Sequence, residues 1–232
     1  MKVLELKNLV KIYNDSEVKV KAVDGISLSF EQGEFVAIVG PSGSGKTTLL
    51  NLIGGLDSIT EGEIIINSTN ISNLSSSKLI DYRLHNIGFV FQAYNLIPVL
   101  TAKENIEFIM ELQGKNRNER NQRAMELLKA VGLEDRAASR PAKMSGGQQQ
   151  RVAVARALAS KPKFILADEP TANLDSKSTE TLLNIMERLN IEENITFIFS
   201  THDQRVVNKA RRVITVEDGH VVSDERRDGS TQ

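Results

Sequence analysis

A glycine-rich segment that follows a short apolar run constrains the fold of this chain more than any other feature. The apolar run covers residues 35–39, and the segment at 40–47 reads Gly-Pro-Ser-Gly-Ser-Gly-Lys-Thr. Residues 48–53 then have the apolar pattern of a helix. Glycines between a strand and a helix let backbone N–H groups turn inward toward an anion at the helix N-terminus. The pattern predicts a strand–loop–helix unit that binds phosphate, and with it an α/β fold.

The residue types in this segment, hereafter the phosphate loop, predict a nucleoside triphosphate ligand. Lys46 is expected to reach the β- and γ-phosphates, and the Thr47 hydroxyl is expected to bind Mg²⁺. A glycine- and serine-rich turn that fits by chance is the alternative, and the strand before it and the helix after it disfavour that alternative. The residues expected to bind ATP here are Gly40, Pro41, Ser42, Gly43, Ser44, Gly45, Lys46, Thr47 and Thr48.

Two acidic residues end a second apolar run. Residues 164–167 are apolar, and Asp168 and Glu169 follow them directly. The ends of parallel strands face the ligand crevice of an α/β sheet. Asp168 is therefore expected to hold the Mg²⁺ ion, and Glu169 is expected to polarise the attacking water. An acidic helix cap before the turn at Pro170 is the alternative interpretation.

The remaining pattern predicts one domain with an inserted lobe. Short apolar runs with turn signals predict a β-rich start, and residues 101–160 have mostly helical periodicity. Strands return after residue 160, with a helix over about 176–188 between two of them. We predict a nucleotide-binding core with its β subdomain at about 1–92 and 161–223, and a helical subdomain at about 93–160. The polar residues 224–232 are expected to be a flexible tail.

Composition excludes several classes of function. The formal net charge of −1 provides no general attraction for nucleic acid, so no nucleic-acid partner is expected. The chain has no cysteine, which excludes disulfides and thiolate metal sites. The N-terminus lacks the apolar stretch of a signal peptide, and no apolar run approaches the ~20 residues that span a bilayer. Work at a membrane would therefore require a partner.

A second glycine segment precedes another helical stretch. Ser145, Gly146, Gly147 and Gln148 stand before the helical pattern at 152–159, with Ser145 as the expected N-cap. Its exposed backbone and helix N-terminus resemble a phosphate site, but no strand leads into it. An ordinary glycine-led helix start is the alternative.

The order of these motifs resembles the ABC ATPases over nearly the whole chain, and the second glycine segment between the two nucleotide motifs is the specific match. The resemblance implies a P-loop NTPase (RecA-like) core with an N-terminal antiparallel β subdomain and an inserted α-helical subdomain that carries the second glycine segment. It implies that Tyr13 stacks on adenine and that Gln92 senses both Mg²⁺ and a membrane partner. It also implies that Asp175 lies in a loop that crosses a dimer interface, and that His202 contacts the γ-phosphate. Each of these residues also has an ordinary structural explanation.

Softer motifs, at 33–35, 51–57 and 173–175, are similar to those of the lipoprotein-release, macrolide-export and antimicrobial-peptide-resistance ATPases. The family implies a head-to-tail homodimer that forms on binding ATP, with each ATP between residues 40–48 of one chain and 145–148 of the other. It implies an integral-membrane permease partner at the cytoplasmic face of the cell membrane, and export or lipoprotein release as the process.

Three alternatives belong to other classes. A DNA-repair or chromosome ATPase would carry a long coiled coil between the nucleotide motifs, and the interval at 48–164 has no sustained heptads. A ribosome-associated factor usually carries two ATP-binding cassettes in one chain, whereas this chain has the motifs of one. A regulatory cassette without turnover is disfavoured by the presence of Glu169 and His202.

The segment after Gln92 has two interpretations. It is apolar but interrupted by Pro98, so a regular core element is disfavoured. Tyr94, Leu96 and Ile97 are expected to line a groove for a short cytoplasmic helix of the permease. Alternatively, these side chains anchor the helical lobe.

Overall fold

Two β-sheets of different pairing form the framework of the chain, which a computed structural model describes over residues 1–14 and 19–227. The first sheet is antiparallel with the strand order β2-β1-β4-β5. Its strands are β1 (Lys2–Tyr13), β2 (Val20–Glu31), β4 (Glu61–Ile66) and β5 (Thr69–Asn70).

The second sheet is the central one, with the order β10-β9-β3-β8-β7-β6. Its strands are β3 (Phe35–Val39), β6 (Ile87–Val90), β7 (Phe164–Asp168), β8 (Thr196–Ser200), β9 (Arg212–Glu217) and β10 (His220–Arg226). Every neighbouring pair is parallel except β9 and β10, which are antiparallel. The strands β3, β7 and β8 are continuous apolar runs because both faces of a parallel sheet are covered.

Seven α-helices accompany the sheets within the described part of the chain. They are α1 (Lys46–Ile53), α2 (Ser76–Asn86), α3 (Ala102–Leu112), α4 (Arg117–Ala130), α5 (Gly146–Ala159), α6 (Ser176–Glu192) and α7 (Gln204–Lys209). Side chains cap several of them: Thr101 and Ser145 each form a capping box, and Asp175 caps α6. None of the helices described at 1–14 and 19–227 is long and apolar enough to cross a bilayer.

Alternate positions on the central strands divide the core into two halves. Phe164 and Leu166 pack with α1 and the antiparallel sheet. Ile165, Phe197 and Phe199 lie on the opposite face, in the cluster that includes the helical lobe α3–α5 and helix α6. Helix α1 is consequently enclosed between the two sheets, which fixes the loop at its N-terminus.

The predicted α/β fold with an antiparallel subdomain and a helical lobe is confirmed, but several details differ. Helix α6 continues to Glu192, beyond the predicted end at 188. The prediction did not include α2, whose residues are all at least partly exposed, so they give no apolar periodicity. Strand β10 was missed for the same reason, since it is an exposed, mostly polar edge strand.

The predicted flexible tail at 224–232 begins too early. Asp224 belongs to β10 and accepts two hydrogen bonds of 2.7 Å from Arg212, from Nε and Nη2. The Arg212 side chain is buried, and its Nη1 also donates to Glu34 Oε2 at 3.0 Å and to the Ser29 carbonyl at 2.7 Å. A buried guanidinium needs such partners, and they hold the final strand in the sheet. Residues 228–232 lie outside the described chain.

Replacing the buried arginine should destabilise the chain far more than replacing its exposed neighbour. Arg212→Met leaves Glu34 and Asp224 without their shared cation, and we expect it to lower the free energy of unfolding by about 3 kcal/mol. Arg226 also pairs with Glu34, at 3.0 Å, but its side chain is 64% exposed, so Arg226→Met should cost less than about 1 kcal/mol. Chemical denaturation of both variants is the measurement, and equal losses would contradict this account.

Candidate active site

A cleft of about 860 Å³ opens between the two sheets and gathers most of the predicted site residues. The predicted residues that line it are Tyr13, Gly40, Ser42, Gly43, Ser44, Gly45, Lys46, Thr47, Thr48, Gln92, Glu169 and His202. Five further residues that we did not predict also line it: Val20, Lys21, Ala22, Asp218 and Gly219. These come from β2 and the β9–β10 turn, and sequence motifs gave no signal for them.

The phosphate loop can adopt its shape only with glycine at two positions. Gly40 has φ 147°, and a Cβ atom there would lie 2.0 Å from the carbonyl oxygen of Val216 in β9. Gly45 has φ 99°, and a Cβ atom there would lie 2.2 Å from the carbonyl oxygen of Ala22 in β2. Both approaches are closer than any side chain permits, so the loop backbone rests directly on the two sheets. Its N–H groups can then converge on an anion at the α1 N-terminus.

Lys46 and Thr47 line the cleft, and Thr47 joins it to Asp168 at the end of β7. Lys46 Nζ donates to the carbonyl oxygens of Gly40 and Pro41, each at 2.8 Å. Thr47 Oγ1 donates to Asp168 Oδ1 at 3.1 Å, although these residues are far apart in the chain. A hydroxyl and a carboxylate are the hard oxygen ligands that Mg²⁺ takes together with phosphate oxygens and water. This pair therefore fits a Mg²⁺ ion that is completed by a bound nucleotide.

Glu169 adopts a backbone conformation that is unusual for its residue type. Its φ is 44°, in the left-handed region, which typically costs about 1–3 kcal/mol for a residue other than glycine. The Thr201 hydroxyl donates to Glu169 Oε2 at 3.2 Å, and His202 Nδ1 lies 2.7 Å from Oε1. The backbone therefore aims the carboxylate into the cleft, and residues after β8 hold it there.

Asp203, next to His202, stabilises this turn through its charge. Hydrogen bonds from Arg205 lower the pKa of Asp203 to about 2, although burial opposes them, and the Thr171 hydroxyl donates to Oδ2 at 2.7 Å. A folded-state pKa below the ordinary 3.8 means that Asp203 contributes stability above that value. This contribution is lost as the pH falls toward 2.

The second glycine segment lies outside the cleft. Ser145 caps α5 as predicted, accepting from the Gln148 N–H at 3.3 Å, while Gln148 Oε1 accepts from the Ser145 N–H at 2.9 Å. Asp175 also lies elsewhere, where its carboxylate caps α6 by accepting from the Ser178 N–H at 2.9 Å. Within one chain, these predicted ATP-binding residues do not meet the phosphate loop.

Side chains of α5 and of the turn after β7 hold the backbone of residues 91–95, which include Gln92. Gln150 is fully buried, and its Nε2 donates to the Phe91 carbonyl at 3.2 Å and to the Pro170 carbonyl at 2.7 Å. Arg156 donates to the carbonyls of Tyr94, at 2.9 Å, and Asn95. Asn173 Nδ2 donates to the Gln92 carbonyl at 3.1 Å.

Sequence reasoning missed these anchoring residues. The available signal was weak: Gln150 and Arg156 are two of several polar residues in α5, and periodicity does not tell which distant carbonyl a side chain meets. Their contacts link the loop with Gln92, the turn after Glu169 and the helix of the second glycine segment.

Removing the Gln150 amide should loosen this connection. Gln150→Met keeps the side-chain size but leaves the Phe91 and Pro170 carbonyls without their donor, which should cost about 1–3 kcal/mol of unfolding free energy. Hydrogen exchange should increase at residues 91–95. Gln149→Met is the matched control, because Gln149 donates only locally, to the Met144 carbonyl at 3.1 Å. Equal protection of residues 91–95 in both variants would contradict the anchoring role.

The family model and the relatives that match this chain all indicate the same family. The chain matches the ABC transporter family over residues 23–172. It is 48% identical over 226 residues to an uncharacterized ABC transporter ATP-binding protein of Thermotoga maritima, covering 97% of this chain and 96% of that protein. It is also 48% identical to the macrolide export ATP-binding/permease protein MacB of Hyphomonas neptunium, covering 95% of this chain but only 34% of that longer protein.

A solved structure agrees with the fold. The dimeric structure of a post-hydrolysis state of the ATP-binding cassette MJ0796, from Methanocaldococcus jannaschii, bound to ADP and Pi, superimposes with a TM-score of 0.89 at 44% identity. The match covers 98% of this chain and 100% of that one. Sequence and structure agree on one conclusion: this chain belongs to the ABC transporter family, as an ATP-binding cassette.

Proposed function

We propose that this chain is the ATP-hydrolysing motor subunit of a membrane transporter, and that two copies close head to tail around two ATP molecules. The proposal rests on one observation: the predicted ATP-binding residues fall into two groups that lie apart within one chain. The phosphate loop lies in one cleft with Glu169 and His202, and its Thr47 contacts Asp168. The second glycine segment, at the N-terminus of α5, lies outside that cleft.

Binding uses the phosphate loop and its two neighbours. The loop N–H groups and the α1 N-terminus receive the phosphates, and Lys46 exchanges its carbonyl partners for the β- and γ-phosphate oxygens. Thr47 and Asp168 are already in hydrogen-bond contact, and together they would hold Mg²⁺. The ion supplies charge neutralisation on the phosphate oxygens.

Hydrolysis uses Glu169 as the base. Its carboxylate accepts a proton from the attacking water, and its left-handed backbone fixes the direction from which it acts. His202 lies against this carboxylate, so it orients Glu169 before ATP arrives and is available to the γ-phosphate afterwards. Gln92 lines the same cleft, where its side chain would contact the metal or the phosphates when they are bound.

The second glycine segment completes the site of the other chain. The N-terminus of α5 carries a positive partial charge, and among the residues described at 1–14 and 19–227 it does not line the cleft of the phosphate loop. In a head-to-tail dimer it would face the γ-phosphate bound by the partner, with Asp175 at the interface. The relative MJ0796 has a structure described as dimeric, which supports this arrangement. Loss of the γ-phosphate would then weaken the dimer.

A permease is the proposed partner for transmitting this movement. MacB relatives are described as ATP-binding/permease proteins, so in them the cassette and the permease share one chain. We propose that this cassette works at the cytoplasmic face of the cell membrane with an integral-membrane permease, in export or lipoprotein release. A DNA-repair or ribosome-associated role is disfavoured, because the family match is to transporters.

In the segment after Gln92, the residue best placed to contact the permease differs from those predicted. Leu96 packs against the core of the helical lobe, and Ile97 is tied through its N–H to Asn105 Oδ1 at 2.8 Å. The anchoring interpretation therefore applies to Leu96, and Leu96→Asp would test stability as much as docking. Val99 remains 70% exposed beside Pro98. We therefore propose that Val99 contacts the permease helix.

Glu169→Gln tests the hydrolytic role. The variant should bind ATP normally and lower the rate of hydrolysis by ~10²-fold or more, because a positioned general base is lost. It should also accumulate an ATP-bound dimer, which size-exclusion chromatography would detect. ATPase activity close to that of the unmodified chain would remove Glu169 from the mechanism.

Val99→Asp tests the permease contact. It should leave ATP binding and the melting temperature of the isolated chain nearly unchanged, because Val99 is exposed. It should weaken co-purification with the permease at least several-fold, because a carboxylate is buried against an apolar surface. Val222→Asp, at a 54% exposed valine on the edge strand β10, is the matched control. Unchanged co-purification of Val99→Asp would exclude the contact.

A further inference from the structure

Tyr13 is held by a charged pair, a buried lysine and a partly exposed aspartate, that the nucleotide motifs do not include. The Tyr13 hydroxyl donates to Asp57 Oδ2 at 2.6 Å. Lys11 Nζ donates to the other oxygen, Asp57 Oδ1, at 2.7 Å, and to the Ser58 carbonyl at 2.7 Å. The Asp57 carboxylate therefore joins Lys11 and Tyr13 of strand β1 to a segment that lies 44 residues after Tyr13 in the chain.

The pair is charged, and its lysine is buried while the Asp57 side chain is partly exposed. Lys11 is only 7% exposed, and a lysine rarely occupies such a position unless it is paired. Burial raises the pKa of Asp57, but the hydrogen bonds from Lys11, Tyr13 and the Ser58 N–H outweigh it, so the pKa lies below its ordinary value. Asp57 is consequently ionised at neutral pH and retains its attraction for Lys11. Lys11, Tyr13 and Asp57 therefore form a connected set of hydrogen bonds that holds the Tyr13 side chain in place.

The same lysine covers one face of the tyrosine ring. Residues 11 and 13 are two apart on one strand, so their side chains point to the same side. Lys11 Nζ lies 4.7 Å from the centre of the Tyr13 ring, within the range of a cation–π interaction. Lys11 therefore occupies one face of the ring, and Tyr13 itself lines the cleft. The hydroxyl bond to Asp57 restrains the tilt of the ring.

The carboxylate also ties the ring to the phosphate loop. Asp57 follows helix α1, and the Leu56 N–H donates to the Asn51 carbonyl in α1 at 2.8 Å, so this segment continues directly from the helix. The N-terminus of α1 carries the phosphate loop. Asp57 therefore connects Tyr13 to the segment that directly follows this helix.

We propose that Lys11 and Asp57 are positioning residues that fix the Tyr13 ring in the plane on which the base of ATP stacks. This inference rests on the proposed function, in which Tyr13 contacts the adenine. Neither Lys11 nor Asp57 lines the cleft, so they act through the ring and not on the nucleotide. Their effect is therefore confined to ligands that carry a base.

The test compares ATP with inorganic tripolyphosphate, which presents the phosphates without a base. Calorimetric binding in the presence of Mg²⁺ is measured for Tyr13→Ala, Asp57→Asn and the double variant. Tyr13→Ala should weaken ATP binding by roughly tenfold, in line with base–aromatic stacking, and Asp57→Asn by roughly three- to fivefold. Tripolyphosphate binding should be unchanged in both. In the Tyr13→Ala background, Asp57→Asn should have no further effect on ATP.

Two more variants guard against a general loss of structure. Tyr13→Phe keeps the ring and removes its hydroxyl, so it should weaken ATP binding by a similar factor to Asp57→Asn without unpairing Lys11. Glu63→Gln is the control, because it breaks an exposed ion pair of the same sheet, with Lys7 at 3.7 Å. It should change neither ligand's affinity.

The outcomes distinguish the stacking role of Tyr13 from the positioning role of Lys11 and Asp57. If Tyr13→Ala leaves ATP affinity unchanged, the stacking role in the proposed function is wrong. If Tyr13→Ala weakens ATP but Asp57→Asn and Tyr13→Phe do not, the positioning role is overturned and the stacking role stands. A loss of tripolyphosphate affinity in Asp57→Asn, or a further loss of ATP affinity on top of Tyr13→Ala, also overturns it, because Asp57 would then act on the phosphate loop or the fold.

Discussion

The close contact between the phosphate loop and two backbone carbonyls is the constraint on which the rest of the structure depends. Gly40 rests against a carbonyl of β9 in the central sheet, and Gly45 against a carbonyl of β2 in the antiparallel sheet. Neither position has room for a side chain. The loop thus keeps its shape only while both sheets are in place, and the N–H groups at the start of α1 converge where they meet.

The catalytic side chains follow from the central sheet. Strand β7 ends in Asp168 and Glu169 follows it, while His202 follows β8, so neighbouring parallel strands deliver their polar residues to one edge. The helical lobe is joined to this edge by polar side chains that meet backbone carbonyls, chiefly those of Gln150 and Arg156.

Much of the fold could be predicted because its signals are local. The strand before the phosphate loop and the strand before Asp168 are continuous apolar runs, and the cap at Ser145 depends on a residue only three positions away. Strand β10 and helix α2 gave no such signal, because they bury little apolar surface. The flexible tail was placed too early for that reason: β10 pairs with β9, and Asp224 contacts the buried Arg212, but its polar, exposed sequence resembles a loop.

The part of the candidate site that could not be predicted depends on distant contacts. Gln150 meets a carbonyl 59 residues away, and Lys11 meets a carboxylate 46 residues away. A single sequence reports which residues are polar but not which backbone or charge they face after folding. The segment after Gln92 illustrates the limit, because burial, and not composition, distinguishes the anchored Leu96 from the exposed Val99.

In the proposed dimer, each ATP site combines the phosphate loop of one chain with the second glycine segment of the other. Covalently linked dimers that carry chosen lesions test this arrangement. Lys46→Ala damages the phosphate loop, and Gly146→Asp places a carboxylate at the second glycine segment. With one lesion in each chain, both lesions fall on one site, so one ATP should bind and be hydrolysed per dimer. With both lesions in one chain beside an unmodified partner, each site is damaged and neither should work. The reverse result, with activity only when both lesions share a chain, would contradict the account.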